Sequence, residues 1–274
     1  MTDLRVTLIQ ISITWENPAA NLARYDKLLQ HIEGPTDLVI LPEMFTTGFT
    51  MAAEQHAERM NGLTVKWMEN RAVELNAVVT GSLIIEEDGR YFNRLIWMRP
   101  DRTYATYDKR HRFAMAGEHE RFTAGTERLI VEVQGWRVCP LICYDLRFPV
   151  WARNDDAYDL LIYTANWPDK RAYDWNTLLK ARAIENQCYV AAVNRVGVDE
   201  NGHSYSGDSC VIGPGWQHTL WHGAENEATR TVTLSAMHLA EVREQLPFLA
   251  DRDDFSVNTQ TAAKEQRGAA AGAE

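Results

Sequence analysis

Short apolar runs that predict strands alternate with segments of helical periodicity along most of this sequence. Residues 4–11 form the first strand pattern, and Asn17-Pro18 supplies the cap and first turn of a helix. Residues 38–41 are a second strand pattern, and residues 65–75 have helical periodicity. Chains with this alternation bury their strands in sheets and place helices on the outer faces. The pattern predicts an α/β fold with helices outside two sheets, although composition alone does not choose among layered α/β folds.

The remaining elements continue the alternation without repeating the sequence. Asp88-Gly89 is a two-residue hairpin signal between two strand patterns, and Gly34-Pro35 is expected to end the first helix. One face of that first helix is apolar and consists of Leu22, Tyr25, Leu29 and Ile32. Further strands are predicted at 77–85, 91–98, 129–133, 138–142, 159–164, 189–193, 209–212 and 231–234, with a further helix at 173–185.

One strand pattern ends on a cysteine. Residues 138–142 are largely apolar, and Cys143 follows at the carboxyl end, where Asp145 and Arg147 break the pattern. Ligands of open α/β sheets bind at the carboxyl ends of strands, where the next turn presents backbone N–H groups. A lone cysteine is more often a small buried hydrophobe, so position alone is a weak indication. Cys143 is therefore a candidate nucleophile that needs partners elsewhere in the chain.

Two further strand patterns end on charged residues that suit such a nucleophile. Residues 38–41 are followed by Pro42 and Glu43, and a Tyr/Thr-rich run from Tyr104 ends on Lys109. Taken singly, each would be a solvated surface charge. A thiol that attacks an amide carbonyl needs a base for its proton, a cation beside the developing oxyanion and an acid for departing ammonia. Glu43 and Lys109 have the chemistry for these tasks.

The chain resembles the nitrilase, or carbon–nitrogen hydrolase, superfamily in three signature segments that occur in the same order. These are L-P-E-M at 41–44, Y-D-K-R-H at 107–111 and C-Y-D-L-R-F-P at 143–149. The resemblance extends from about residue 4 to the end of the 230s and implies a four-layer αββα sandwich. It also implies that Glu43 is the general base, Cys143 the nucleophile, and Lys109 with the Tyr144 N–H the oxyanion-binding groups. Proteins with this fold commonly pair through helices and tail segments, so we expect a homodimer.

Members of the superfamily often carry a second glutamate in the loop after the lysine. The segment E-H-E-R-F-T-A-G places Glu118 seven residues before Gly125, which is the usual offset in the family. Glu120 is the competing candidate, and an exposed loop acid is the alternative for both. The resemblance implies that Glu118 orients Lys109 and Glu43 through hydrogen bonds.

The resemblance also bears on the substrate. The pair Tyr144-Asp145 differs from the Trp-Glu pair of true nitrilases, which favours amides over nitriles. The cysteine segment, T-A-N-W-P at 164–168 and A-R-A-I-E-N-Q at 181–187 are most similar to bacterial ω-amidases, which release ammonia from 2-oxoglutaramate or 2-oxosuccinamate. Two alternatives stay open: another C–N hydrolase, acting on an N-carbamoyl amino acid or an aliphatic amide, and a catalytically silent binding protein on the same scaffold.

A substrate of this kind carries a carboxylate far from its scissile amide, so the pocket needs a cation besides Lys109. Arg147, Arg182 and Arg195 are the candidates, although an arginine beside a strand end often pairs with a local acid such as Asp145. Asn166 and Trp167 replace a small-residue segment of other amidases and would narrow the pocket. The residues that we predict to bind substrate are Tyr144, Arg147, Phe45, Asn166 and Trp167.

Composition excludes several other classes of protein. The formal net charge of −10 and the pI near 5.3 disfavour a nucleic acid or an anionic membrane as partner. The eight histidines form no recognisable metal-ligand pattern, and we expect neither a metal nor a cofactor. Four cysteines are too few for a disulfide scaffold in 274 residues, and the N-terminal segment lacks a signal-peptide pattern. We therefore expect a cytoplasmic protein that acts on a small-molecule amide.

Two regions are predicted along the chain. Residues 1–245 are expected to form one carbon–nitrogen hydrolase domain, and residues 246–274 a C-terminal extension. Residues 258–274 are poor in large apolar side chains, which predicts a mobile tail, although their Ala, Glu and Lys content also suits a fraying helix.

Overall fold

Strands make up much of the chain. The computed structural model of the protein describes residues 1–215 and 219–257. Within these ranges the strands are β1 (Leu4–Gln10), β2 (Leu38–Ile40), β3 (Val78–Glu87), β4 (Arg90–Met98), β5 (Tyr104–Asp108), β6 (Val131–Val133), β7 (Trp136–Ile142), β8 (Leu160–Ala165), β9 (Tyr189–Asn194), β10 (Val196–Val198), β11 (Ser204–Ser206), β12 (Cys210–Ile212), β13 (Thr219–His222) and β14 (Ala228–Leu234). The predicted strands are confirmed to within a few residues.

Helices separate several of these strands. They are α1 (Pro18–Leu29), α2 (Ala53–His56), α3 (Leu63–Leu75), α4 (Glu118–Arg121), α5 (Ala172–Asn186) and α6 (Ala236–Gln245). Short 3-10 turns occur at Ala114–Ala116, Cys143–Arg147, Asp169–Arg171 and Phe248–Asp251. The hairpin predicted at Asp88-Gly89 is confirmed, because both residues have positive φ, at 53° and 71°, as a tight turn between twisted strands requires.

The strands form two large sheets with the same plan. One has the order β14-β1-β2-β3-β4-β5 and the other the order β13-β12-β9-β8-β7-β6, while β10 pairs with β11 separately. In the first sheet β1, β2 and β3 run parallel, and in the second β7, β8 and β9 do so. The flanking strands of each sheet are antiparallel.

Apolar side chains pack these elements into four layers. Val6 and Leu38 of the first sheet share a core with Val138 and Leu160 of the second, so the two sheets lie face to face. The other face of the first sheet packs against α1 and α3, and that of the second packs against α5 through Trp175. The strands at the centre are buried on both faces, which explains their nearly continuous apolar runs. The predicted four-layer αββα sandwich is confirmed.

The first helix differs from its prediction at its C-terminal end. It stops at Leu29, one turn before Gly34-Pro35, and Ile32 lies beyond it. Apolar periodicity also missed the buried Asn21, whose side-chain amide donates to the carbonyl oxygens of Thr14 and Thr46, each at 2.7 Å. A buried amide with satisfied hydrogen bonds takes a place on the inner face that the apolar pattern assigned to Leu22, which is only half-buried.

The C-terminal part is described as far as residue 257. Helix α6 ends at Gln245, and the predicted mobile tail at 258–274 lies outside the described residues. The division into residues 1–245 and 246–274 stays a prediction. Across the described ranges, no helix combines the length and the apolar character needed to cross a membrane.

Candidate active site

Lys109 lies at the centre of a buried cluster of charges. It follows β5 and is 1% exposed, and its Nζ donates to Glu43 Oε1 at 2.9 Å and to both carboxylate oxygens of Glu118 at 2.9 and 3.0 Å. Both glutamates are fully buried. Two carboxylates around one ammonium group leave the cluster with a net negative charge when all three are ionised. Mutual attraction and hydrogen bonding therefore have to offset the cost of desolvating three charges.

Glu118 is the loop glutamate that reaches Lys109, whereas Glu120 is exposed. The loop can return to the lysine because Gly125 lies against β5: a Cβ there would stand 2.0 Å from the carbonyl oxygen of Asp108. The N–H of Gly125 also donates to the carbonyl oxygen of Lys109 at 3.1 Å. The close approach gives a physical reason for the spacing between glutamate and glycine.

Asn93 is a further member of the cluster that the sequence reasoning missed. Its Nδ2 donates to Glu43 Oε1 at 2.9 Å and to Glu118 Oε1 at 3.2 Å, and it is buried on β4. The only signal in the sequence was an amide, next to Arg94, inside a strand pattern that is mostly apolar and aromatic. Asn93 binds both carboxylates, so it limits how far they can move apart.

Cys143 stands directly after β7 in a strained backbone conformation. Its φ of 42° lies in the left-handed region, which costs a residue with a Cβ of the order of 1 kcal/mol or more. The side chain is 8% exposed, and Sγ lies 3.9 Å from the carbonyl oxygen of Asn166. Strain of this kind persists only where the surrounding structure holds it, and here it turns Cys143 out of the strand at the cavity.

Electrostatics set the protonation of the site. Burial and the neighbouring negative charge of Glu43 raise the pKa of Cys143 well above its ordinary value, against the opposing effect of Lys109. Burial lowers the pKa of Lys109, but Glu118 and Glu43 more than compensate, so its pKa is raised. Burial also raises the pKa of Glu118. At neutral pH the arrangement holds a protonated thiol beside a lysine cation, so a reacting thiol needs a base in contact with it.

Lys109 and Cys143 line a cavity of about 690 Å³. Of the predicted substrate-binding residues, four line it: Tyr144, Arg147, Asn166 and Trp167. The prediction for Phe45 is wrong. Phe45 is fully buried in the core, where its ring packs edge-on to that of Tyr25 with centroids 5.4 Å apart, because the chain turns inward after Glu43.

The three candidate arginines have different surroundings. Arg147 lines the cavity, but it pairs with Asp174 at 2.6 Å and not with Asp145. Arg182 donates to the carbonyl oxygen of Leu146 at 2.6 Å and Arg195 to that of Ile13 at 3.0 Å. Both are buried, and neither lines the cavity. They therefore serve as internal braces of the loops.

Asp145 connects the lysine segment to the cysteine segment, which the sequence reasoning did not foresee. Its Oδ1 accepts from the backbone N–H of His111 at 2.9 Å, and its Oδ2 accepts from Tyr107 Oη at 2.7 Å and from the N–H of Ile142 at 3.1 Å. It is fully buried. One side chain thus binds residues on either side of Lys109 and the residue before Cys143. Within the described ranges, no three histidine, cysteine or acidic side chains converge as metal ligands.

Fold and site together define an αββα hydrolase with a candidate cysteine nucleophile. The chain belongs to the carbon–nitrogen hydrolase family, whose profile matches residues 5–245. It is 45% identical over 255 residues to omega-amidase YafV of Escherichia coli strain K12, with 93% of this chain and 99% of that protein covered. It is 31% identical to the 2-oxoglutaramate amidase of Bacillus subtilis strain 168, with 90% and 96% covered.

A solved structure supports the same family assignment. The chain superposes with a TM-score of 0.91 and 49% identity on the crystal structure of XC1258 from Xanthomonas campestris, covering 94% of this chain and 100% of that one. That protein is described as a CN-hydrolase superfamily protein with an arsenic adduct in its active site.

Proposed function

We propose that this protein is an ω-amidase, which hydrolyses the terminal amide of 2-oxoglutaramate or 2-oxosuccinamate to the 2-oxo dicarboxylate and ammonia. The observation that carries the proposal is the cluster of Glu43, Lys109 and Cys143, of which Lys109 and Cys143 line one cavity. Lys109 is 2.9 Å from Glu43, and the Cys143 thiol stands beside them. The similarity to omega-amidase YafV and to a 2-oxoglutaramate amidase supports the substrate class.

In the first half-reaction, Cys143 attacks the amide carbonyl while its proton passes to Glu43. Sulfur bonds to carbon, and the carbonyl electron pair moves to oxygen. Lys109 and the backbone N–H of Tyr144 stabilise that oxyanion in the tetrahedral intermediate. Glu43 then returns the proton to the nitrogen, the C–N bond breaks, and ammonia leaves a thioester on Cys143.

In the second half-reaction, Glu43 takes a proton from a water molecule that attacks the thioester carbonyl. The second tetrahedral intermediate uses the same oxyanion contacts. It collapses with cleavage of the C–S bond, and the thiolate regains a proton from Glu43. Glu118 touches no reacting atom in this scheme and positions Lys109 through its two hydrogen bonds.

The cavity wall supplies substrate contacts. We propose that Tyr144, Arg147, Asn166 and Trp167 contact the substrate, because all four line the cavity beside Cys143. We also propose that the protein works as a homodimer, as the family resemblance implies, and that it is cytoplasmic, as its free thiols indicate. Light scattering after gel filtration tests the dimer, and a mass equal to one chain would refute it.

Ammonia release from a panel of amides tests the function. The panel contains 2-oxoglutaramate, 2-oxosuccinamate, glutamine, asparagine, an N-carbamoyl amino acid and an aliphatic amide, with Cys143→Ala as the blank. We expect kcat/KM to be highest for the two 2-oxo acid amides and turnover by Cys143→Ala to fall at least about 10³-fold. Preference for the carbamoyl compound or the aliphatic amide would reject the ω-amidase assignment and keep the cysteine chemistry. If no amide in the panel releases ammonia, the result would favour a binding protein.

A further inference from the structure

We propose that Arg171 binds the substrate carboxylate and so selects carboxylate-bearing amides; this inference rests on the proposed amidase function. Arg171 is the last residue of the 3-10 turn Asp169–Arg171, between the Asn166-Trp167 segment and α5, and it lines the cavity. The sequence patterns favour Arg147, Arg182 or Arg195 for this contact, and Arg171 is not among those candidates.

The backbone of Arg171 is fixed on both sides. Its N–H donates to the carbonyl oxygen of Pro168 at 3.0 Å, and its own carbonyl oxygen accepts from Trp167 Nε1 at 2.8 Å. Trp167 itself is buried and lines the cavity. The base of the Arg171 side chain is therefore held by the same segment that forms the cavity wall.

The guanidinium group packs against the aromatic ring of Phe113, which also lines the cavity. Its central carbon lies 5.3 Å from the ring centroid of Phe113, and the Phe113 ring packs edge-on against Tyr144 at 5.0 Å. Tyr144 directly follows Cys143. The contact with the ring holds the guanidinium group near Tyr144, and its N–H groups remain available to a carboxylate.

The other cations at the cavity are paired with acids or exposed to solvent. Lys109 donates to two glutamates, and Arg147 is paired with Asp174 at 2.6 Å. Lys170 and His203 are exposed to solvent. In the part of the chain that the structure describes, the guanidinium of Arg171 makes no ion pair or hydrogen bond. Arg171 is half-buried, and its guanidinium N–H groups can donate to a carboxylate without breaking an existing hydrogen bond or ion pair.

A matched pair of substrates tests the proposal. Glutaramate carries a carboxylate at the far end from its amide, and pentanamide has the same chain length without that charge. We expect Arg171→Ala to lower the ratio of kcat/KM for glutaramate to that for pentanamide about 10- to 100-fold, mainly through KM. Arg171→Lys should restore part of the ratio, because it keeps the charge and loses the fork. Lys180→Ala, an exposed cation on α5 that does not line the cavity, is the control and should leave the ratio within about threefold of the wild type.

The outcomes separate this proposal from the proposed function. Equal losses on both substrates in Arg171→Ala, with an active wild type, would overturn the role of Arg171 and leave the amidase intact. If the wild type turns over no amide, the proposed function fails, and calorimetric titration of glutarate still tests the carboxylate site. Glutarate affinity should fall about tenfold or more from Cys143→Ala to the double variant with Arg171→Ala. Equal affinities would overturn the inference.

Discussion

Asn166 and Glu43 bind each other at two points. The backbone N–H of Asn166 donates to Glu43 Oε2 at 2.9 Å, and its side-chain Nδ2 donates to the backbone carbonyl oxygen of Glu43 at 2.6 Å. Glu43 follows β2 of one sheet and Asn166 follows β8 of the other. The two contacts therefore join the sheets at the edge where Cys143 and Lys109 also lie.

Replacing Asn166 with alanine should impair both stability and turnover. The variant leaves the Glu43 carbonyl, which is buried, without its side-chain donor, and such a loss costs about 1–3 kcal/mol in free energy of unfolding. We expect kcat to fall about 10- to 100-fold, because the backbone of Glu43, which carries the catalytic carboxylate, loses its side-chain anchor to the other sheet. Urea unfolding and ammonia release measure the two effects. Asn176→Ala, which removes an amide bonded to the Ala172 carbonyl on α5, is the control. Equal kcat values in the two variants would contradict this role.

Replacing Glu118 with glutamine should lower turnover while the fold persists. Glutamine keeps the shape of the side chain but removes one of the two negative charges on Lys109, so the ammonium group is held less firmly. We expect kcat/KM to fall at least about tenfold, with most of the loss in kcat. The matched control is Glu120→Gln two residues away, where the side chain is exposed. We would measure kcat/KM against pH for both variants, because Glu118→Gln changes the charge beside Lys109 and keeps the side-chain shape. Identical pH profiles for the two variants would show that Glu118 does not act through Lys109.

The sequence predicts the catalytic residues at the strand ends better than it predicts the side chains that hold those residues in place. Glu43, Lys109 and Cys143 were foreseeable, because each follows an apolar or Tyr/Thr-rich run and the carboxyl ends of parallel strands meet at one edge. The four-layer arrangement came from the family resemblance, since alternation of strands and helices fits several layered folds.

Local sequence patterns do not predict which side chains bind each other when they are far apart in the chain. Asn93 looked like a polar interruption of a strand, and its two carboxylate partners are 50 and 25 residues away in the chain. Arg147 was expected to meet Asp145 if it paired locally, yet its partner is Asp174 on α5. Phe45 is predicted to bind substrate, yet its ring lies in the core against Tyr25. Such choices depend on tertiary packing, which local periodicity does not encode.

Replacing Asp145 with asparagine should destabilise the whole site. Both carboxylate oxygens of Asp145 accept hydrogen bonds, including those from Tyr107 and from the backbone of His111. An asparagine would point an NH₂ group at one set of donors inside the core. We expect a loss of about 2–4 kcal/mol in free energy of unfolding and a lower kcat, because the Lys109 and Cys143 segments are no longer joined. Urea unfolding measures the first effect. Asp88→Asn at the exposed hairpin is the control, and a similarly small change in both variants would contradict the role of Asp145.

Buried thiols should make the protein less stable in alkali. All four cysteines are free and buried, and burial raises the pKa of Cys139 and Cys210 to about 12 and raises that of Cys188 and Cys143 as well. In the unfolded chain a thiol ionises with a pKa of about 8.5. Above that pH the unfolded state binds fewer protons than the folded state, so the free energy of unfolding falls as pH rises.

Cys210 offers a direct test of this linkage. Between about pH 8.5 and pH 10, each buried thiol should lower the free energy of unfolding by about 1 kcal/mol per pH unit. Cys210→Ala should therefore lose less stability than the wild type over this range, with a difference of about 1.5 kcal/mol between pH 8.5 and pH 10. Val211→Ala on the same strand is the control, since it shifts stability by an amount that does not depend on pH. Urea unfolding at pH 7, 8.5 and 10 gives the three curves. Parallel curves for Cys210→Ala and the wild type would show that this thiol ionises equally in both states.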